Sequence, residues 1–457
     1  PGAARLALKE ALQGAATNSR DYQNHKEDLY LAALALTAER FRWRPQWAGT
    51  LAAGATRGPD DTWVEGHSTF TVSQLLDLGG TLSASLATDL LRFTTGDPRP
   101  TSTSTLAVEF LQPLYRKSGR LVAREPLTQA ERDTLYALRT FVRYRKSFCV
   151  DVTSRYYRTL QQRDTVANQW SNYKRIRQSR ADSEEMARAG ELPNLQVDQA
   201  RQDELRAEAN WVQAVRTYRE QIDSFKVFLG LPAEAAVELD PSEVDRLRQT
   251  GLREVSLTPE SAVETAMQRR LDLLTATDRV TDAERGIEIA RNNIEPDVGL
   301  KANATVPSGT GAQGGTYSVG LDVGLPLQRL LERNTYRQAL ITLERARRAA
   351  DELQEQIKLN VRNACRTLQE AATSHRIERD SVELAQRRER ASRELLRLGE
   401  AIARDLLEAN EALVNAQNAL TRTLVDHTLA RLSLWRDTEL LQVDEAGVWQ
   451  EVTDVNP

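Results

Sequence analysis

The chain is 457 residues long and has little of what enzymes and disulfide-stapled folds are built from. It has two cysteines, Cys149 and Cys365, far apart and each inside a helical pattern. That placement reads as two small buried apolar residues, not a disulfide. Its four histidines, His25, His67, His375 and His427, stand in unrelated contexts and supply no zinc cage. There is no GxSxG, no HExxH and no phosphate-cradling loop. Enzymatic activity is therefore not expected; no catalytic, cofactor-binding or metal-binding residue is assigned, and no cofactor is implied. Aromatics make up only 6% and the net charge is −4, so no partner nucleic acid is implied. No run reaches the roughly 18 apolar residues of a membrane-spanning helix. Membrane insertion, if any, must come from strands, and strands cross lipid only as closed barrels. The start at Pro1-Gly2, without an initiating methionine, reads as a processed or trimmed end, compatible with loss of an export signal or a lipidated cysteine.

What the chain does have is a tandem plan. One copy opens at Leu6–Leu12 and the other at Leu257–Val263, 251 residues on. Each opening leads into a helical stretch that stops at a proline, Pro45 or Pro296, again 251 apart. Two β-like stretches follow and end in Pro-Leu, at Pro113-Leu114 and Pro326-Leu327, now 213 apart. Each copy then has a long charged helix, a lone glycine (Gly190 or Gly399) and a last helix. The fall from 251 to 213 gives the first copy 38 extra residues between its strands. The expected division is a first repeat at 1–230, a linker at 231–256, a second repeat at 257–441 and a tail at 442–457.

Tyr317, Val319, Leu321, Val323 and Leu325 alternate with Ser318, Gly320, Asp322 and Gly324, and Val298 to Val306 alternate likewise. Leu106, Val108 and Phe110, with a weaker set at Trp47, Gly49, Leu51, Ala53 and Ala55, repeat this in the first copy. Period-two alternation over about ten residues predicts strands with one apolar and one polar face, long enough to cross a bilayer when tilted. The extra segment carries a further alternating pair about 68–91, around Asp77-Leu78-Gly79-Gly80. It is expected to join the barrel, with a surface flap as the alternative. Four to six strands leave two raw edges, so one chain cannot make a pore alone. Barrel segments are expected about 46–112 and 297–326.

Trp211, Val215, Tyr218, Ile222, Phe225 and Leu229 recur at alternating spacings of four and three, as do Ile402, Leu406, Ala409, Leu413, Ala416 and Leu420. That is a coiled-coil seam. The tracts before them, about 127–189 and 335–398, would each extend roughly 90 Å or more. Their crowded Arg and Glu, as in Arg387-Arg388-Glu389-Arg390, read as a solvated face with i,i+4 ion pairs. The predicted fold class is mainly α with a transmembrane β-barrel portion: long antiparallel coiled-coil helices that form either a rod or the wall of a tube, and four to six strands per protomer that need sister chains to close a barrel.

The duplicated plan, the strand ends Gln112-Pro113-Leu114 and Leu325-Pro326-Leu327, and the stretch Leu398-Gly399-Glu400-Ala401-Ile402-Ala403-Arg404-Asp405-Leu406-Leu407-Glu408-Ala409-Asn410 together resemble the TolC-like outer-membrane efflux family over nearly the whole chain. The resemblance implies an outer-membrane channel subunit of a tripartite efflux or type I secretion system: a homotrimer whose strands close one trimeric β-barrel in outer-membrane lipid of a Gram-negative-type bacterium and whose helices continue as an α-barrel extending into the periplasm. Its partners would be a periplasmic adaptor protein and an inner-membrane transporter that supplies the energy. Gly190 and Gly399 would mark the periplasmic tip turns where an adaptor docks, and Pro45, Pro113, Pro296 and Pro326 the barrel–helix junctions. Asp405 and Glu408, three apart on one helix face, would line the pore constriction as threefold rings; the plainer reading is carboxylates complementing a helix N-terminus. The first copy departs from this, with Gln196 and Gln199 at the matching offset and Asp198 nearby, and Leu396 and Ala401 stand where the family carries a tip-locking Tyr and Arg. The competing reading of the whole chain is a soluble periplasmic coiled-coil scaffold or adaptor.

Overall fold

The computed structural model describes residues 4–59, 61–95, 100–190, 192–253, 255–309, 314–325, 327–398, 400–444 and 446–450. Pro326 and Gly399, expected at a junction and at a tip turn, lie outside the described residues. The first part of the chain gives β1 (Ala4–Leu6), α1 (Leu8–Asn18), α2 (Arg20–Arg42), β2 (Gln46–Arg57), β3 (Thr62–Leu75), β4 (Thr81–Phe93), β5 (Pro100–Pro113), α3 (Arg120–Arg188) and α4 (Asn194–Phe228). Between the copies stand β6 (Val237–Leu239) and α5 (Ser242–Thr250). The second part gives α6 (Pro259–Arg269), α7 (Leu271–Asn292), β7 (Asp297–Gly309), β8 (Thr316–Gly324), α8 (Leu330–Arg397) and α9 (Ala403–Asp437), then β9 (Gln442–Val443) and β10 (Trp449–Gln450). No described helix is long and apolar enough to cross a membrane. Two compact units result: one of residues 1–27, 140–273 and 353–457, the other of 28–139 and 274–352.

The helices of the two copies correspond in length: 11 and 11 residues for α1 and α6, 23 and 22 for α2 and α7, 69 and 68 for α3 and α8, 35 and 35 for α4 and α9. The single helix expected before each first strand is in fact two. The breaks fall at Ser19 and Arg270, both extended and both 251 residues apart. In each, the amide of the break residue still closes the helix, onto the carbonyl of Ala15 or Ala266 at 2.9 Å. Neither break carries Gly or Pro. Side-chain contacts stand at them instead: the amide of Gln23 donates to the carbonyls of Ala16 and Thr17, and the buried Arg270 pairs with Asp272 at 2.7 Å. Helix α3 also begins earlier than expected and runs through Pro126, which forgoes one backbone bond within the early turns.

The first unit holds the core, and the core is itself duplicated. Ala11, Ala15, Tyr22, Phe148, Val152, Tyr156 and Phe225 cluster in the first copy. Ala262, Ala266, Leu273, Ile357, Val361, Cys365 and Leu434 cluster in the second. The first three of each set stand 251 apart and the other four 209 apart, so one packing solution is used twice. Alanine on α1 and α6 lets these helices approach α3 and α8 closely. Cys149 and Cys365 are buried free thiols, as expected, and burial pushes that of Cys149 up to about 12. The stretch expected as a linker folds here: β6 pairs in parallel with β1, and Leu239 and Val244 join the first cluster. Gly230 makes this corner possible, since at φ +79° a Cβ would stand 2.1 Å from the carbonyl oxygen of Asn18.

The second unit holds the sheet together with the adjoining helix segments. There, α3 and α7 are tied by charged pairs, Arg139 to Asp278 at 2.6 Å and Arg285 to Glu125 at 3.1 Å. The hydroxyl of Tyr136 donates to Asp282.

Candidate functional site

The sheet has six strands in the order β2-β3-β4-β5-β7-β8, antiparallel throughout. Pro45 and Pro296 sit directly before β2 and β7, and Pro113 is the last residue of β5. A proline suits a strand's end because it offers no amide to a ladder. The extra segment, expected about 68–91, is a complete hairpin, β3 and β4, inside this sheet.

Register makes the chemistry of the sheet explicit. One row across all six strands reads Gln46, Ser73, Ser83, Glu109, Asn303, Ser318. The adjacent row, pointing to the opposite face, reads Trp47, Val72, Ala84, Val108, Ala304, Tyr317. The next row on that apolar face adds Gly49, Phe70, Leu86, Leu106 and Val306. Yet among the described residues nothing covers this apolar face: Leu51 is 86% exposed, Val319 77% and Leu321 66%. A contiguous exposed apolar surface of this kind requires a lipid or protein environment. The polar face carries paired charges, with Lys301 2.6 Å from Asp322, and His67 joined to Asp89 and to Thr69. The outer edges of the sheet, along β2 and β8, present unpaired backbone groups.

In the helical unit, Gly190 ends α3 in the left-handed region at φ +79°, and its amide bonds the carbonyl of Ala187. Around the second turn the amide of Glu400 bonds the carbonyl of Leu395. Leu406, Ala409, Leu413 and Ala416 are buried on α9 as the seam predicts, while Ile402 is the exposed N-cap. Asp405 and Glu408 are both exposed. The carboxylate of Asp405 accepts the amide of Ile402 at 3.3 Å, so it caps its own helix. Glu408 lies 3.2 Å from Arg404 and 3.7 Å from Arg388. In the first copy Gln196 is half-buried, and Asp198 and Gln199 are exposed.

Three features of these surfaces were absent from the sequence reading. Arg388 reaches Glu408 from another helix, and no spacing in the sequence encodes that contact. The coiled-coil interior holds polar pairs, Asn168 with Asn418 at 2.8 Å and Arg175 with Asn410 at 3.0 Å, hidden among ordinary seam residues. The His67–Asp89 pair was readable: both stand eleven residues from Leu78, at the centre of the hairpin turn.

Residues 262–435 match the family model of outer membrane efflux proteins. Among curated proteins none matches the chain. Among solved structures, the outer membrane protein VceC of Vibrio cholerae is 14% identical, with 94% of this chain and 95% of that one covered and a TM-score of 0.71. The CmeC outer membrane channel of Campylobacter jejuni is 13% identical, with 98% and 87% covered and a TM-score of 0.70. The open-state MtrE outer membrane channel of Neisseria gonorrhoeae is 12% identical, with 94% and 88% covered and a TM-score of 0.66. The family match covers residues 262–435, and over nearly its whole length the chain has the fold of these outer membrane channels.

Proposed function

We propose that the chain is one protomer of a homotrimeric outer-membrane channel, the passive exit duct of a tripartite efflux or secretion system. The observation that carries this reading is the uncovered apolar face of a sheet whose opposite face is polar and whose two edges are open. Lipid tolerates no open edge, so sister copies must complete the ladder. A soluble scaffold would bury that face on itself, whereas among the described residues it stands exposed. The sheet would be the part in the outer membrane and the helical unit the part in the periplasm. Energy and cargo selection would come from an inner-membrane transporter joined through an adaptor, docking at the turns near Gly190 and Gly399. The two repeats, divided by the segment at 231–256, would each contribute one helical hairpin to the conduit.

At the second turn, Asp405 and Glu408 would form threefold carboxylate rings at the constriction, with Asp405 also serving its helix cap. Arg404 and Arg388 would temper the charge of the Glu408 ring. In planar bilayers, the purified protein should form channels. Asp405→Ala combined with Glu408→Ala should raise single-channel current and weaken block by multivalent cations. Channels with unchanged current and block would remove the ring; absence of any channel activity would remove the duct.

A further inference from the structure

We infer that the inserted hairpin β3–β4 is part of the pore wall, so that three copies close an eighteen-stranded barrel with an exit about half as wide again as the duplicated plan without the insertion would give. This rests on the trimeric channel reading above. The second repeat contributes two strands, β7 and β8, and without the insertion the first would contribute β2 and β5, making four per protomer. The hairpin makes six.

Three observations place it in the wall. First, both registered rows run through it unbroken: Val72, Ala84, Phe70 and Leu86 extend the apolar face, while Ser73, Ser83 and the His67–Asp89 pair extend the polar one. A plug in the lumen or a flap on the surface would have no need to keep both rows in phase with its neighbours. Second, its inner turn is locked to the corner after β5. The amide of Gly119 and the side-chain amide of Gln112 both donate to the carbonyl of Leu78. Gly79, at φ +86°, passes so close that a Cβ would lie 2.6 Å from the carbonyl oxygen of Lys117. Third, a hairpin adds strands in twos. Parity is kept, β2 and β8 remain antiparallel to one another, and a copy's β8 can continue onto the next copy's β2 without reversing direction.

Barrel diameter grows nearly in proportion to strand number. With strands about 4.8 Å apart and tilted about 40°, twelve strands give a backbone diameter of about 24 Å and eighteen about 36 Å, roughly doubling the cross-section. Barrels of that size hold an open aqueous channel, whereas small ones are filled by their own side chains. The outer-membrane portion of this duct would therefore pass bulky cargo, wider than a twelve-stranded barrel admits.

A cryo-electron-microscopy map of the detergent-purified full chain decides the matter. Eighteen strands around the threefold axis are expected. A threefold tube with a twelve-stranded barrel and the hairpin outside its wall would overturn this inference and leave the channel reading intact; the absence of a threefold assembly would overturn both. Membrane assembly gives a second test. Leu86→Arg, on the apolar face of the hairpin, should lower trimer recovered from membranes at least tenfold, while Ser85→Arg, on the polar face, should leave it unchanged. Equal tolerance of both substitutions would take the hairpin out of the lipid-facing wall.

Discussion

His427 is buried on α9, and its imidazole is held well below its ordinary 6.5, at about 4. Burial is the first cause, and the neighbouring Arg431 and His375 add to it. The unfolded chain takes up this proton before the folded one does, so stability present above pH 6.5 is lost as pH falls toward 4. Melting temperatures measured across that range should decline in the parent protein and decline less in His427→Gln; parallel profiles would show that another group titrates. Residue by residue, the sequence was legible where a role is local. Asp405 stands near a helix N-terminus, where a carboxylate complements the dipole, and Cys149 and Cys365 read as buried because they lie far apart, each inside a helical pattern. It was not legible where the partner comes from afar. Glu439 is buried against Arg143 and Lys146, nearly three hundred residues earlier, and only the fold brings them together.

Helices and strands were easier to read than the residues inside them. Alternation located the strands because one face must be apolar from end to end, and the 4–3 spacing located the seam of α9 because Leu406, Ala409 and Leu413 must stay on one side. The breaks at Ser19 and Arg270 carry neither glycine nor proline, and the side-chain hydrogen bonds beside them have no signature in the sequence. The pairing within the sheet has a direct test on β8. Leu321→Arg puts a charge on the apolar face and should cost up to about 2–4 kcal/mol near a bilayer midplane. Ser318→Arg, on the polar face, should be close to neutral. Quantifying folded protein in the membrane fraction separates the two, and a reversed order of tolerance would invert the assigned faces.

At the scale of the molecule, the helices and core clusters of the two halves correspond in length and spacing, and strands of both halves join in a single sheet. Backbone chemistry then sets the assembly. Water can bond the outermost amides of a six-stranded sheet but lipid cannot, so in lipid its two open edges require neighbouring strands. This much was foreseeable from the number and length of the alternating segments. The hairpin's pairing between β2 and β5 comes from the register, which alternation alone does not give. The most direct test is the native mass of the protein extracted from membranes in mild detergent. Particles of three times the 51.3 kDa chain, absent when detergent is omitted, are predicted. A stable 51.3 kDa monomer in plain buffer would contradict the account.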